Sequence, residues 1–298
     1  MNVFITGATG YIGFNVAMAY RRAGHAVWGL TRSEQKAQLL ARHEIRPVVG
    51  RMQEAARWAS AAKNCSVLIH AAVDYQADVF ALDRQTVEHL LSLSKIGPQP
   101  KTLIYTSGVW VYGDTRGRLV DETTPLNPPK MVAQRPAVEK LVLHSDSAHG
   151  IVIRPGCVYG YQGGLTGMWF AGAVQEKNLS AVGGANRWTM VHADDLAEAY
   201  LRAGECGLHG EAFNITDRSR WSVADMLQAV ARVTGYTGRI NFIPVADAAG
   251  SMGDFAECLA LDQHVDARKA ARLLGWQPNH GGFGDDVDTY FTAWKAAR

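Results

Sequence analysis

The chain has 298 residues, 47% of them apolar and 19% charged, with 30 Lys and Arg against 28 Asp and Glu for a formal net charge of +2. That length supports one large or two coupled domains around a substantial core. Basic residues dispersed among acids argue against a nucleic-acid binder, and no apolar run approaches the roughly 20 residues that span a bilayer. Residues 2–6 read as a strand and not as a secretory leader. Cys65, Cys157, Cys206 and Cys258 are scattered with no CxxC or Cys/His cluster, which predicts reduced, mostly buried thiols, no metal site and a cytoplasmic home.

The first element is a strand, Asn2–Thr6, running into glycines at 7, 10 and 13 and then into an amphipathic helix. Gly7 allows a tight strand-to-helix turn, Gly10 lets the main chain approach a pyrophosphate, and Gly13 lets the helix lie close to the strand. The helix N-terminus adds unpaired N–H groups and partial positive charge, so Thr9, Tyr11 and Ile12 complete an expected dinucleotide clamp. Ile12, Val16, Ala19 and Ala23 share one helix side, Gly24 stops the helix, and Ser33 is placed to cap the next.

Further strands are expected at His25–Leu30, Arg46–Val49, Val67–Ala71, Thr102–Ser107 and Ile151–Arg154, with helices between. This alternation predicts an α/β fold: a Rossmann-type, doubly wound parallel sheet that binds phosphates at the strands' carboxyl ends where the strand order reverses. At the end of the second strand an NAD enzyme places an acid on the ribose 2′-hydroxyl, but here stands Arg32, whose fork matches a 2′-phosphate. The expected cofactor is therefore NADP. Arg51, in Gly50-Arg-Met52, reads as a solvated loop residue.

After Gly160 the texture changes to glycine-rich loops at 160–167 and 183–184, then Phe213-Asn-Ile-Thr216, a helix near 222–233 and Leu274-Gly-Trp276 before a last helix. Residues 1–160 are expected to bind the dinucleotide, with later segments returning to the sheet, and 161–298 to form mainly a smaller substrate-binding lobe. Trp110, Tyr161, Trp169, Phe170 and Trp188 are expected near the cleft, favouring a flat or apolar small-molecule substrate over a nucleotide sugar.

Six ordered stretches carry a resemblance: TGATGYIG at 6–13, His70-Ala-Ala72, Tyr105-Thr-Ser-Gly-Val-Trp-Val-Tyr-Gly113, Arg154-Pro-Gly-Cys-Val-Tyr-Gly160, Val191-His-Ala-Asp-Asp195 and Leu274-Gly-Trp276. Together they resemble the extended short-chain dehydrogenase/reductases of the NAD(P)-dependent epimerase/dehydratase family. The resemblance implies that His70, Ala71 and Ala72 pass under the cofactor, that Pro155, Gly156 and Val158 pack against the nicotinamide, and that Thr106 and Arg135 border the cofactor as well. It also implies a tyrosine and a lysine four residues later on the helix after the fifth strand. Anchored on Glu139, those positions fall on Met131 and Arg135, and the hydroxyl position falls on Gly108 with Ser107 adjacent.

Methionine has no proton to give, whereas a fixed guanidinium suits a developing enolate, carboxylate or phenolate. The expected catalytic residues are Ser107 and Arg135, with Tyr75 the first choice as replacement acid. Tyr112, Asp114 and His192 read as structural, and Asp194-Asp195 as the start of a helix. Three functions remain open: an NADP-dependent reductase of a carbonyl, imine or enone; a non-redox isomerase, lyase or cyclase that retains NADP; and an NADP sensor without catalysis. Helix pairing into a homodimer is common in the family, but Pro136, read as lying within the helix, weakens that expectation.

Overall fold

In the computed structural model, which describes residues 1–97, 99–161 and 163–298, strands form where short apolar runs follow turn residues. In chain order they are β1 Asn2–Thr6, β2 Ala26–Thr31, β3 Arg46–Val49, β4 Val67–His70, β5 Lys101–Thr106, β6 Leu119–Val120, β7 Ala148–Pro155, β8 Cys157–Tyr159, β9 Leu179–Val182, β10 Met190–His192, β11 Glu211–Ile215, β12 Ile240–Ile243 and β13 His264–Val265. The helices are α1 Tyr11–Arg22, α2 Glu34–Arg42, α3 Ala55–Lys63, α4 Val79–Ser94, α5 Arg135–Leu143, α6 Gly164–Ala171, α7 Ala193–Glu205, α8 Val223–Thr234, α9 Val245–Met252, α10 Asp254–Ala260, α11 Arg268–Leu274 and α12 Val287–Ala296. Ser33 caps α2 as expected, its Oγ accepting from Lys36 N.

Seven parallel strands form one sheet in the order β11-β7-β5-β4-β1-β2-β3. Residues on alternate sides of each strand bury against different helices, the signature of a sheet covered on both faces. Val3, Ile5, Ile69, Ile104 and Ile153 pack with α1, α7 and α11. Phe4, Leu68, Leu103, Tyr105 and Val152 pack with α3, α4 and α5. Strand order reverses between β1 and β4, so the loops after these two strands diverge and leave a groove at their carboxyl ends.

Beyond residue 160 the chain returns to this framework through β11 and α7, while a separate apolar cluster joins α6, α8, α12, β9 and β10 around Tyr159, Phe170, Trp188 and Phe283. The remaining strands make only two-stranded pairs: β8 with β10, β9 with β12 and β6 with β13. No helix among the described residues is long and apolar enough to cross a membrane. All four cysteines are free thiols.

Two features differ from the sequence reading. Pro136 stands in the first turn of α5 and not in its interior, because a residue without an N–H is tolerated there. Lys130–Val132 accordingly form a separate 3₁₀ turn, which detaches Met131 from the helix that Arg135 begins. The α7 N-cap is His192, whose ring accepts from Asp194 N, and not either aspartate.

Candidate active site

The groove over β1 and β4 has a volume of about 500 Å³ and is bordered by Gly7, Thr9, Gly10, Tyr11, Ile12, Ala71 and Ala72 at one end and by Arg32, Ser33, Lys36, Met52 and Asp74 at the other. Gly7 has φ +73°, and a Cβ there would stand 2.5 Å from the Ala71 carbonyl oxygen. A Cβ on Gly13 would stand 2.2 Å from the Gly7 oxygen, so this glycine permits helix-to-turn packing and does not line the groove. Gly10 is exposed beside the groove and caps α1 without a side chain, leaving first-turn N–H groups open toward it. The Tyr11 hydroxyl crosses to donate to the Gly160 oxygen at 2.6 Å, and burial pushes that phenol's pKa upward.

At the far end Arg32 is 57% exposed and meets the buried Asp74 carboxylate at 3.3 Å. Arg51 is exposed and does not border the groove.

Where β4 and β5 end, a buried polar chain runs through the second sheet face. His70 lies between Thr6 Oγ1 at 2.6 Å and Asp83 Oδ1 at 3.0 Å, and Tyr105 donates to Asp83 Oδ2 at 2.6 Å. Burial alone would raise the Asp83 pKa. Hydrogen bonds from His70 and Tyr105, together with the nearby Arg135 charge, outweigh burial and hold it below the ordinary carboxylate value. Burial and the Asp83 charge drive the Tyr105 phenol well up. Across the sheet Tyr200 donates to Thr106 Oγ1 at 2.7 Å.

Arg135 projects from the start of α5 toward this chain. Its Nη1 lies 3.2 Å from the position a Cβ would take on Gly108, so the guanidinium lies against the end of β5, and a larger residue there would make this flexible side chain give by a few tenths of an ångström. The Pro155 carbonyl oxygen is 4.0 Å from the same point, which brings the β7–β8 corner, including Gly156 and Val158, alongside. Ser107 is 3% exposed, and its Oγ has no hydrogen-bond partner among the described residues. A buried hydroxyl left in that state costs about 1–3 kcal/mol unless something supplied from outside completes it.

Below α5, Glu139 takes a two-pronged bond from Arg154, Nε to Oε1 at 3.1 Å and Nη2 to Oε2 at 2.5 Å. Arg154 also donates to the Tyr112 hydroxyl, which donates to Asn214 Oδ1. This network fixes α5 against β7 and accounts for Tyr112 as a structural residue.

A second cavity of about 300 Å³ opens in the smaller lobe, lined mainly by apolar groups including Met168, Trp169, Val182, Trp188 and Phe255. The Phe255 ring meets Trp110, two residues beyond Gly108, at 6.1 Å edge to face. Cys258, on the same helix as Phe255, feels the Arg135 charge, although burial still pushes its thiol up to about 12. The expected aromatics Trp169 and Trp188 stack here, whereas Tyr161 is bonded to Asp194.

The sequence profile of the NAD dependent epimerase/dehydratase family matches residues 3–216. The chain belongs to that family. Among relatives, it is 28% identical to a 4-hydroxy-2-methyl-3-oxo-4-farnesyl-3,4-dihydroquinoline-1-oxide ketoreductase of Stigmatella aurantiaca, across 85% of this chain and 80% of the other. It is likewise 28% identical to a 3-diazoavenalumate denitrifying reductase of a Streptomyces species, across 96% and 99%. The fold is that of Bacillus cereus UDP-glucuronic acid 4-epimerase, solved with UDP-glucuronic acid and NAD, at TM-score 0.83 and 17% identity over both full chains.

In this member of the epimerase/dehydratase family, the glycine cradle fits a dinucleotide: a Cβ at Gly7 would meet backbone, and the bare start of α1 faces the groove. The expected contact residues do not all border it. Gly13 packs, and the His70 ring turns away to Asp83. Tyr75 lies on the loop after β4, 74% exposed, and, like Ser107 and Arg135, lines neither cavity. Asp83, Tyr105, Tyr200 and Asp74 were not singled out from sequence. No spacing rule connects Asp83 on α4 with Tyr105 on β5; only the packed sheet does.

Proposed function

We propose that the protein is an NADP-dependent oxidoreductase that reduces a small apolar or aromatic carbonyl, imine or enone. On this reading residues 1–160 hold the dinucleotide and 161–298 supply mainly the substrate lobe. Arg32, with Ser33 and Lys36 beside it, supports NADP over NAD, since the guanidinium can leave the partly exposed Asp74 pair for a doubly charged phosphate. Two reductases among the relatives support the reaction class.

The observation that carries the proposal is the Arg135 guanidinium lying against Gly108 at the end of β5, next in sequence to Ser107, whose buried hydroxyl has no partner among the described residues. NADPH, when bound, supplies a hydride to an electron-poor carbon. Arg135 holds the substrate oxygen that gains charge, and the Ser107 hydroxyl donates to the same oxygen. The aromatic wall of the neighbouring cavity admits a flat substrate.

The positions that the family resemblance gives to a tyrosine and a lysine carry Met131 and Arg135. The neighbouring phenols are committed elsewhere, Tyr105 to Asp83, Tyr112 to Asn214 and Tyr200 to Thr106. An enone suits such a site best. Hydride adds to its β-carbon, the π electrons move to oxygen, and the enolate held by Arg135 takes a proton from water at the α-carbon later.

A panel of enones, ketones and imines, scored by loss of NADPH absorbance, tests this. We expect turnover of at least one class, with Arg135→Ala lowering kcat/KM about a hundredfold, or about 2.7 kcal/mol of transition-state stabilisation. No turnover on the panel, or equal turnover by the variant, contradicts the proposal.

A further inference from the structure

A cavity of about 660 Å³, larger than the dinucleotide groove, opens between the loop after β11, the β13–α11 segment and Arg187. It shares no lining residue with the groove. Arg187, Arg218, Arg220 and Arg268 all line it, in a chain whose net charge is only +2.

These exposed guanidiniums differ in how their charge is met. Arg268 is neutralised by Asp266 at 2.5 Å. Arg218 instead donates from Nη2 to the neutral Gln277 Oε1 at 2.8 Å, and Arg220 from Nη2 to His264 Nε2 at 2.8 Å. These partners orient the two forks without cancelling their charge, and each fork keeps further N–H donors. No ion pair involves Arg187, Arg218 or Arg220 among the described residues.

The loop presenting them is fixed, because Asp217 Oδ1 accepts from both Ser219 N and Ser219 Oγ. The two carboxylates that line the cavity offset its charge only in part. Asp266 is spent on Arg268, and Asp217, although burial pushes its pKa up to about 6, stays a carboxylate at neutral pH and so offsets one positive charge of the three remaining arginines. His264 is held below its usual value by burial and then by the Arg220 and Arg187 charges, which places both guanidiniums in the field of one ring.

We propose that this cavity is a binding site for a small multiply charged oxyanion, a phosphate ester or diphosphate, separate from the dinucleotide groove. Three forks set against that one carboxylate still call for two negative charges, which a simple carboxylate lacks. The volume falls within the roughly 300–1,000 Å³ of small-molecule sites, and the arginines line one recess. Arg187 and Trp188 are consecutive, and Trp188 lines both this cavity and the apolar one, so the ligand would sit directly behind one wall of the smaller lobe's pocket.

Calorimetry on the full chain at low ionic strength, with sodium pyrophosphate as the probe, tests the site. We expect one pyrophosphate per chain, no comparable signal from sodium acetate, and at least a tenfold loss of affinity in Arg218→Gln/Arg220→Gln and in Arg187→Gln. All three side chains are exposed, so unchanged melting temperatures will show that the variants fold. Absence of pyrophosphate binding at millimolar concentration, binding that survives all three substitutions, or binding abolished by Gly10→Ala instead would overturn the proposal. Because NADPH binding is measured separately on the same proteins, failure here leaves the dinucleotide reading intact.

Discussion

At Gly108 the backbone without a Cβ lies against the Arg135 guanidinium, 3.2 Å from where a side chain would begin. Both residues stand out in the sequence, but their contact does not, since 27 positions separate them and only the β5–α5 packing brings them together. The glycine turn was more legible, because its spacing alone encodes which glycine meets backbone and which faces a ligand. Two substitutions separate those roles. A Cβ on Gly10 stands 3.2 Å from the Gly7 oxygen, a contact that small backbone shifts relieve, whereas Gly7 combines φ +73° with backbone at 2.5 Å. Gly10→Ala should leave the melting temperature nearly unchanged and weaken dinucleotide binding at least tenfold. Gly7→Ala should destabilise the fold by more than about 2 kcal/mol, read by chemical denaturation.

At the scale of elements, the strands and helices of the first half follow from apolar alternation and turn residues, and their observed limits differ from expectation by a few residues at most. The break before α5 was harder to read. Counting back from Glu139 places Met131 and Arg135 on one continuous helix, but α5 begins only at Arg135, with Pro136 in its first turn, and Met131 lies in the 3₁₀ turn before it. What holds that short helix is the Glu139–Arg154 pair, with side chains only 2% and 5% exposed. Removing one charge leaves the other buried and unpaired. Glu139→Ala should therefore cost about 3–5 kcal/mol in unfolding free energy, while Glu139→Met/Arg154→Met recovers most of the loss. A single-variant cost below about 1 kcal/mol would show that the pair does not anchor α5.

For the whole molecule, the change to glycine-rich loops after residue 160 led to the expectation of a smaller lobe, yet the contacts of that part of the chain could not be read from sequence because the partners are far apart in the chain. Asp195 accepts from Asn279 N and His280 N, both at 3.1 Å, and from His280 Nδ1 at 3.0 Å. The His280 ring stacks on His192 at 3.7 Å. Burial, then the His280 charge, pushes the His192 pKa down to about 4. A histidine with a depressed folded value favours folding fully above its unfolded pKa of about 6.5, and that contribution is lost as pH falls toward 4. Asp217, raised to about 6, acts in the opposite sense, so wild type must be compared with a variant and not with itself alone. His192→Asn keeps an N-cap acceptor without a titrating ring. Its stability should fall less steeply than wild type between pH 6.5 and 4, by a difference on the order of 3 kcal/mol, and parallel curves would refute this.

On the proposed function, a 2′-phosphorylated dinucleotide lies across the reversal point of the sheet, with Arg32 at its adenosine end. Calorimetric titration of the full chain with NADPH and NADH, repeated on Arg32→Ala, tests it most directly. The account predicts one NADPH per chain, bound at least tenfold more tightly than NADH, with that preference erased in the variant. Binding of neither nucleotide, or an NADPH preference that survives loss of the guanidinium, would contradict it.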